Sequence, residues 1–146
     1  MKQALILEQV NKDTISHVWA QAKPLLGKAL VYSNGELGSE DIRRGVLAGT
    51  VSLFVVHDKK TVHLAVATEF VTYPRLTTLR VIVLAGRTAG VLMRCMKEFW
   101  PKILDWAKAL GAEKVEASCH PTMARLLRRY NFYPKYTTVF LDMVQL

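Results

Sequence analysis

Leu79-Arg80-Val81-Ile82-Val83-Leu84-Ala85-Gly86-Arg87-Thr88-Ala89-Gly90-Val91-Leu92 passes from a strand's composition into a helix's period across two glycines. Its first half is rich in β-branched and apolar residues, so Thr77 to Ala85 reads as a strand. After Gly86 the period changes. Leu92, Met96, Phe99, Ile103, Trp106 and Leu110 recur at helical steps and form one stripe that closes at Gly111. Pro101 lies within that stripe and predicts either a kinked helix or two helices end to end. A strand that runs through a glycine-bearing loop into a long amphipathic helix is half of a crossover unit. The short strand Lys114 to Ser118 completes it, and such a connection makes the two strands parallel.

Working outward, the segments before Thr77 read as an antiparallel meander. Val51 to His57 and Thr61 to Val71 are strands separated by the turn Asp58-Lys59-Lys60, and Tyr73-Pro74-Arg75 leads into the third. Links this short join only antiparallel neighbours. Alternation in the second strand puts Val62, Leu64, Val66, Thr68 and Phe70 on one face. Upstream, Leu5 to Val10 reads as a strand. A helix follows from Ile15 to Leu30, with Asp13 or Thr14 as its cap and a disturbance expected at Pro24. Ser33-Asn34-Gly35 to Gly38 reads as a loop, and Ser39 opens a short helix that Gly49 stops. Downstream, Pro121 to Arg129 predicts a helix. Lys135 to Val144 predicts a final strand with Thr137, Val139, Leu141 and Met143 facing inward. The whole is a single α/β domain with a mixed sheet and about four helices over residues 1–146, without repeat or linker.

The composition narrows the possible functions. Hydrophobic residues make up 51% of the 146, slightly above the usual globular share, which fits either a well-filled core or apolar surface covered by a partner. No apolar run approaches the roughly 18 residues of a membrane span, and Met1 to Val10 lacks the zones of a signal peptide, so a cytosolic start is expected. The net charge of +8 permits anionic partners. The basic residues are dispersed and no recognition motif accompanies them, which predicts non-specific contact with nucleic acid rather than sequence reading. Cys95 and Cys119 have neither metal nor redox spacing and read as reduced core residues. No metal site is expected.

The order of elements resembles the GCN5-related N-acetyltransferase (GNAT) fold over nearly the whole chain. Ile103-Leu104-Asp105-Trp106-Ala107-Lys108-Ala109-Leu110-Gly111-Ala112 is similar to the end of that family's central helix. Ala124-Arg125-Leu126-Leu127-Arg128-Arg129-Tyr130-Asn131-Phe132 is similar to its last helix and exit. Thr68 to Arg75, together with Leu79 to Gly86, resembles a divergent phage-encoded group of this fold that includes internal virion proteins.

The resemblance implies a pyrophosphate-binding loop at Arg87, Thr88, Ala89 and Gly90, where backbone N–H groups at a helix start would hold acetyl-CoA. Arg87 and Gly90 fit the family's loop, while Leu92 stands where the family has a small residue and would crowd the phosphates. The same residues also read as a plain strand-to-helix connection. Aligned on Phe132, the family's tyrosine general acid falls on Leu127, and Tyr130 belongs to another face of the helix. Glu69 is the candidate base, on a strand that also carries His63. It also reads as part of a solvated strand face, and His57 and His63 read as surface or satisfied residues.

A retained fold with an eroded catalytic signature predicts a binding or structural component of an assembly, with a phage particle as the expected setting. Host cytoplasm and virion are the expected locations, and no cofactor is expected. The alternative is an acetyl-CoA-dependent N-acetyltransferase with a divergent site.

Overall fold

A computed structural model describes residues 4–31 and 36–145. A five-stranded sheet has its strands in chain order: β1 (Ile6–Val10), β2 (Ser52–His57), β3 (Val62–Thr72), β4 (Thr77–Gly86) and β5 (Lys114–Ala117). The first four are antiparallel neighbours, and β5 runs parallel to β4. Helices α1 (Ile15–Leu30) and α2 (Ser39–Ala48) cover one face of the sheet. The other is covered by α3 (Ala89–Ala109) and α4 (Pro121–Leu127), the latter continued by a 3-10 turn at Arg128–Tyr130. Of the loop expected at Ser33-Asn34-Gly35, those three residues lie outside the described ones.

Strand alternation divides the core in two. Phe54, Val56, Leu64, Val66, Leu79 and Val81 meet Met96, Phe99, Trp100 and Ile103 of α3. Leu53, Val55, Ala65, Ala67 and Val83 meet Ile15, Ala22 and Leu26 of α1 and Ile42 and Val46 of α2. The helices run through both prolines: α1 is continuous across Pro24 and α3 across Pro101. Gly49 ends α2 at φ +80°, a conformation that costs an L side chain strain. Ahead of α1, Thr14 makes no side-chain cap bond to the helix; its Oγ1 accepts from the N–H of Asn11, and Asn11 Oδ1 accepts in return from the N–H groups of Asp13 and Thr14.

Four expectations are corrected. The segment from Lys135 to Val144 forms no strand; residues 132–142 have no regular structure, and a short 3-10 turn follows at Met143–Gln145. Its Val139, Leu141 and Met143 are exposed rather than inward. Val62 packs on the α1–α2 side rather than with Leu64 and Val66, because the β2–β3 register slips beside His63 and reverses the faces. Leu110 ends the helical stripe exposed. Cys95 is buried as expected, with burial pushing its thiol pKa up, but Cys119 is exposed after β5.

Candidate functional site at the opening of the sheet

β4 is ten residues long, but only Thr78 to Val81 are paired with β5, opposite Lys114 to Ala117. Beyond Val81 the two strands part, and the β5 side of Ile82 to Gly86 has no strand partner among the described residues. A bulge marks the parting. Val81 stands opposite Thr68 and Val83 opposite Ala67, so Ile82 is an extra residue on β4. Ile82 and Val83 consequently both pack towards α1 and α2, while Val81 and Leu84 pack towards α3. A bulge of this kind bends its strand and turns backbone groups out of the ladder, which is why such features sit beside sites.

The start of α3 lies at the end of this unpaired edge. Thr88 is its N-cap in extended conformation, and Thr88 Oγ1 accepts from the N–H of Val91 at 3.2 Å. The N–H groups of Ala89 and Gly90, in the first turn, have no partner inside the helix. A Cβ placed on Gly90 would meet nothing within 4 Å outside the helix's own backbone, so the side of the turn at Gly90 is open. Arg87 behaves differently. Its N–H donates to His63 O at 2.9 Å, and its guanidinium donates to Val62 O through Nη2 at 3.2 Å and Nε at 3.4 Å. The side chain is therefore fastened back onto β3.

Leu92 does not stand over the donors. A Cβ on Gly86 would lie 2.9 Å from Leu92 Cβ, and Leu92 is half-buried against the α3-side core. The leucine thus uses the space that the missing Gly86 side chain leaves.

The position aligned with a tyrosine acid is occupied by Leu127, which is buried in the same core, while Tyr130 packs half-buried beside it. Leu127 has no proton to donate. Glu69 lies at the paired end of the sheet, opposite Arg80. Arg80 Nη1 donates to Glu69 Oε1 at 3.1 Å, and its Nε and Nη2 reach Glu116 Oε1 at 3.2 Å. Tyr73 Oη donates to Glu116 at 2.9 Å. Glu69 is thus one end of a four-residue network that ties β3, β4 and β5 together. The two strand histidines have separate partners: His57 is 3.1 Å from Glu8, and His63 is 3.1 Å from Asp58.

The bulge and the inward turn of Leu92 were not read from the sequence. The sequence carries no signal for the first, since Val81 to Ala85 is an unbroken apolar run in which a slip of alternation leaves no mark. Among the described residues, no group of three or more His, Cys, Asp or Glu is placed to hold a metal ion, and no helix is long and apolar enough to cross a membrane.

No family model matches this chain, and no curated protein matches its sequence. Solved structures do. An aminoglycoside acetyltransferase, meta-AAC0020, from an uncultured soil metagenomic sample in complex with sisomicin superposes with a TM-score of 0.69 at 11% identity, over 95% of this chain and 96% of that one. A predicted acetyltransferase with acetyl-CoA from Clostridium acetobutylicum gives 0.71 at 10% identity, over 98% and 99%. Glucosamine-6-phosphate N-acetyltransferase from Arabidopsis thaliana gives 0.69 at 11% identity, over 97% and 99%. Identities this low speak for the architecture and not for the chemistry: the chain has the fold of the GNAT acetyltransferases.

Proposed function

We propose that the chain binds an acyl-CoA along the opened edge of β4 and transfers the acyl group to an amine by positioning rather than by side-chain acid catalysis. The observation that carries this reading is the opening itself. An unpaired, bulged strand edge leads directly to first-turn donors without a partner inside the long helix, with Leu92 of that turn packed against the core.

The residues fit such a group. The N–H groups of Ala89 and Gly90, held in place by the Thr88 cap, would take the pyrophosphate, helped by the helix dipole. The bare backbone of Ile82 to Gly86 would take an extended arm as a further strand does. Arg87 would contribute by fixing the loop against β3. A bound acyl-CoA would supply an activated thioester: the amine forms the C–N bond as the C–S bond breaks, and the thiolate, whose thiol has a pKa of about 8.5 by analogy with cysteine, leaves without a strong acid and takes up the proton that the amine gives off. The chain's own part is then to align the amine and exclude water, an entropic contribution that needs no proton donor at Leu127. Glu69 in this reading orients Arg80 and binds the strands together. The experiment is a titration of the protein with acetyl-CoA, followed by an assay of thioester loss in the presence of amines.

A second reading, a structural component of an assembly such as a phage particle, is favoured by one observation. The apolar excess of the composition is concentrated at the exposed C-terminal segment, where Tyr136, Val139, Leu141 and Val144 are largely in solvent. Mass spectrometry of purified particles tests it, and absence of the chain from them removes that reading.

A further inference from the structure

Along the chain the basic residues are dispersed, but the fold gathers six of them on one face. Arg94, Lys97 and Lys108 are exposed on α3, and Arg125, Arg128 and Arg129 are exposed on α4 and its 3-10 extension. Both helices pack their buried sides on the same face of the sheet, so these cations share its outer layer. Helical spacing brings the two sets towards each other. Lys97 and Lys108 lean to the flank of α3 that carries Trp100, and the Trp100 ring lies 6.0 Å from that of Phe132, where the chain leaves α4. Glu98 and Asp105 lean to the other flank, that of Lys102, whose Nζ lies 5.4 Å from the centre of the Phe99 ring. On α4 the arginines stand at steps of three and four residues, on one side of the helix. No acidic residue occurs between Glu116 and Asp142. Among the described residues none of the six cations is in an ion pair; the paired arginines, Arg43 and Arg80, lie on α2 and β4.

We propose that this outer face of α3 and α4 docks on the phosphate backbone of duplex nucleic acid, without reading its sequence. Like charges held this close repel one another, and a polyanion relieves that repulsion while releasing its own counterions. Guanidinium groups match phosphate oxygens in geometry as well as in charge. The neighbouring side chains favour a duplex over the other polyanions. A single strand is held by exposed aromatic rings on which bases stack, and here Phe99 and Trp100 are buried. An anionic membrane takes up an exposed apolar face, and no large hydrophobic residue within α3 or α4 is exposed. The length also suits a duplex: α3, with 21 residues, is about 31 Å long, which spans about nine base pairs. Docking here is independent of acyl-CoA binding, since it uses neither the first turn of α3 nor the edge of β4.

The test is fluorescence anisotropy of the full chain with two labelled duplexes of about 20 base pairs and unrelated sequence, long enough for that footprint. The expected result is binding of both within about threefold of each other, weakening about a thousandfold as salt rises from about 50 to about 200 mM, as six phosphate contacts require. Arg128→Ala/Arg129→Ala should lower the slope of log affinity against log salt by about 2, with an unchanged melting temperature. Lys23→Ala/Lys28→Ala removes the same charge from α1, on the opposite face, and should keep the native slope. Millimolar acetyl-CoA at matched ionic strength should leave duplex binding unchanged. An equal loss in the two variants would mean that net charge attracts the duplex and this face does not. Displacement by acetyl-CoA would assign the arginines to that ligand. Either result overturns the proposal, as does tighter binding to a single strand or to phosphatidylserine vesicles than to the duplex, or no duplex binding at the lowest salt.

Discussion

Gly86 and Leu92 occupy one space: a Cβ on the glycine would stand 2.9 Å from that of the leucine and 3.2 Å from its Cα. The end of β4 and the first turn of α3 are therefore locked at a distance only glycine allows. Gly86→Ala should destabilise the protein by about 1–3 kcal/mol, the range for overpacking, because the obstruction includes backbone that cannot swing aside. Chemical denaturation measures it, and an unchanged midpoint would mean that the helix start is free to shift.

Ile103 is 2% exposed at the centre of the α3 face, among Leu79, Phe99 and Trp100. Ile103→Ala should cost about 2–5 kcal/mol through lost burial and the cavity left behind. A loss within half a kcal/mol would show that this face is not the core.

The places where sequence reading succeeded and failed have physical causes. The α3 stripe was legible because Met96, Phe99 and Ile103 keep helical spacing over many turns, and the meander because its links are too short for any other topology. Val62 was misplaced because a single-residue slip beside His63 reverses a strand's faces, and alternation by itself carries no mark of such a slip. The segment from Tyr136 to Met143 has a strand's composition, but a strand also needs a neighbouring edge, and composition cannot say whether one lies in reach within the same chain. Leu92 looked obstructive in the candidate loop because its direction depends on a glycine six residues earlier. Glu69 was legible as a carboxylate on the right strand, yet its partner Arg80 follows only from the register.

Glu69 should prove dispensable for transfer. A general base contributes a rate factor of about 100 to 10,000, whereas a partly exposed ion pair such as Glu69–Arg80 contributes about 0.2–1 kcal/mol of stability. Glu69→Gln is expected to leave acetyl-CoA turnover within about threefold of native. A fall of a hundredfold with intact cofactor binding would restore the carboxylate to the role of base.

Asp58 anchors the β2–β3 turn. Its carboxylate accepts from the N–H of Thr61 at 2.8 Å, from His63 Nε2 at 3.1 Å and from the N–H of Lys60 at 3.0 Å, and these bonds hold its pKa well below the usual carboxylate range. A folded pKa depressed below the unfolded value, about 3.9, contributes stability that is present above that value and lost as pH falls below it. Asp58→Asn should therefore lower the melting temperature at pH 7, and the difference from native should narrow as pH drops below about 4. A difference that stays constant from pH 7 to pH 2 would remove the charge from the explanation.

Calorimetric titration of the native chain and of Gly90→Trp with acetyl-CoA decides whether the start of α3 holds an acyl-CoA. The indole should fill the open side of the first turn at Gly90 without disturbing the core, since nothing outside the helix's own backbone lies within 4 Å of a Cβ there. The native protein should bind saturably, with a thermal stabilisation approaching about 2.7 kcal/mol at a hundredfold excess over the dissociation constant. Both signals should vanish in a Gly90→Trp variant that melts normally. No saturable heat from the native chain at millimolar acetyl-CoA, or equal binding by the variant, would contradict binding at that start.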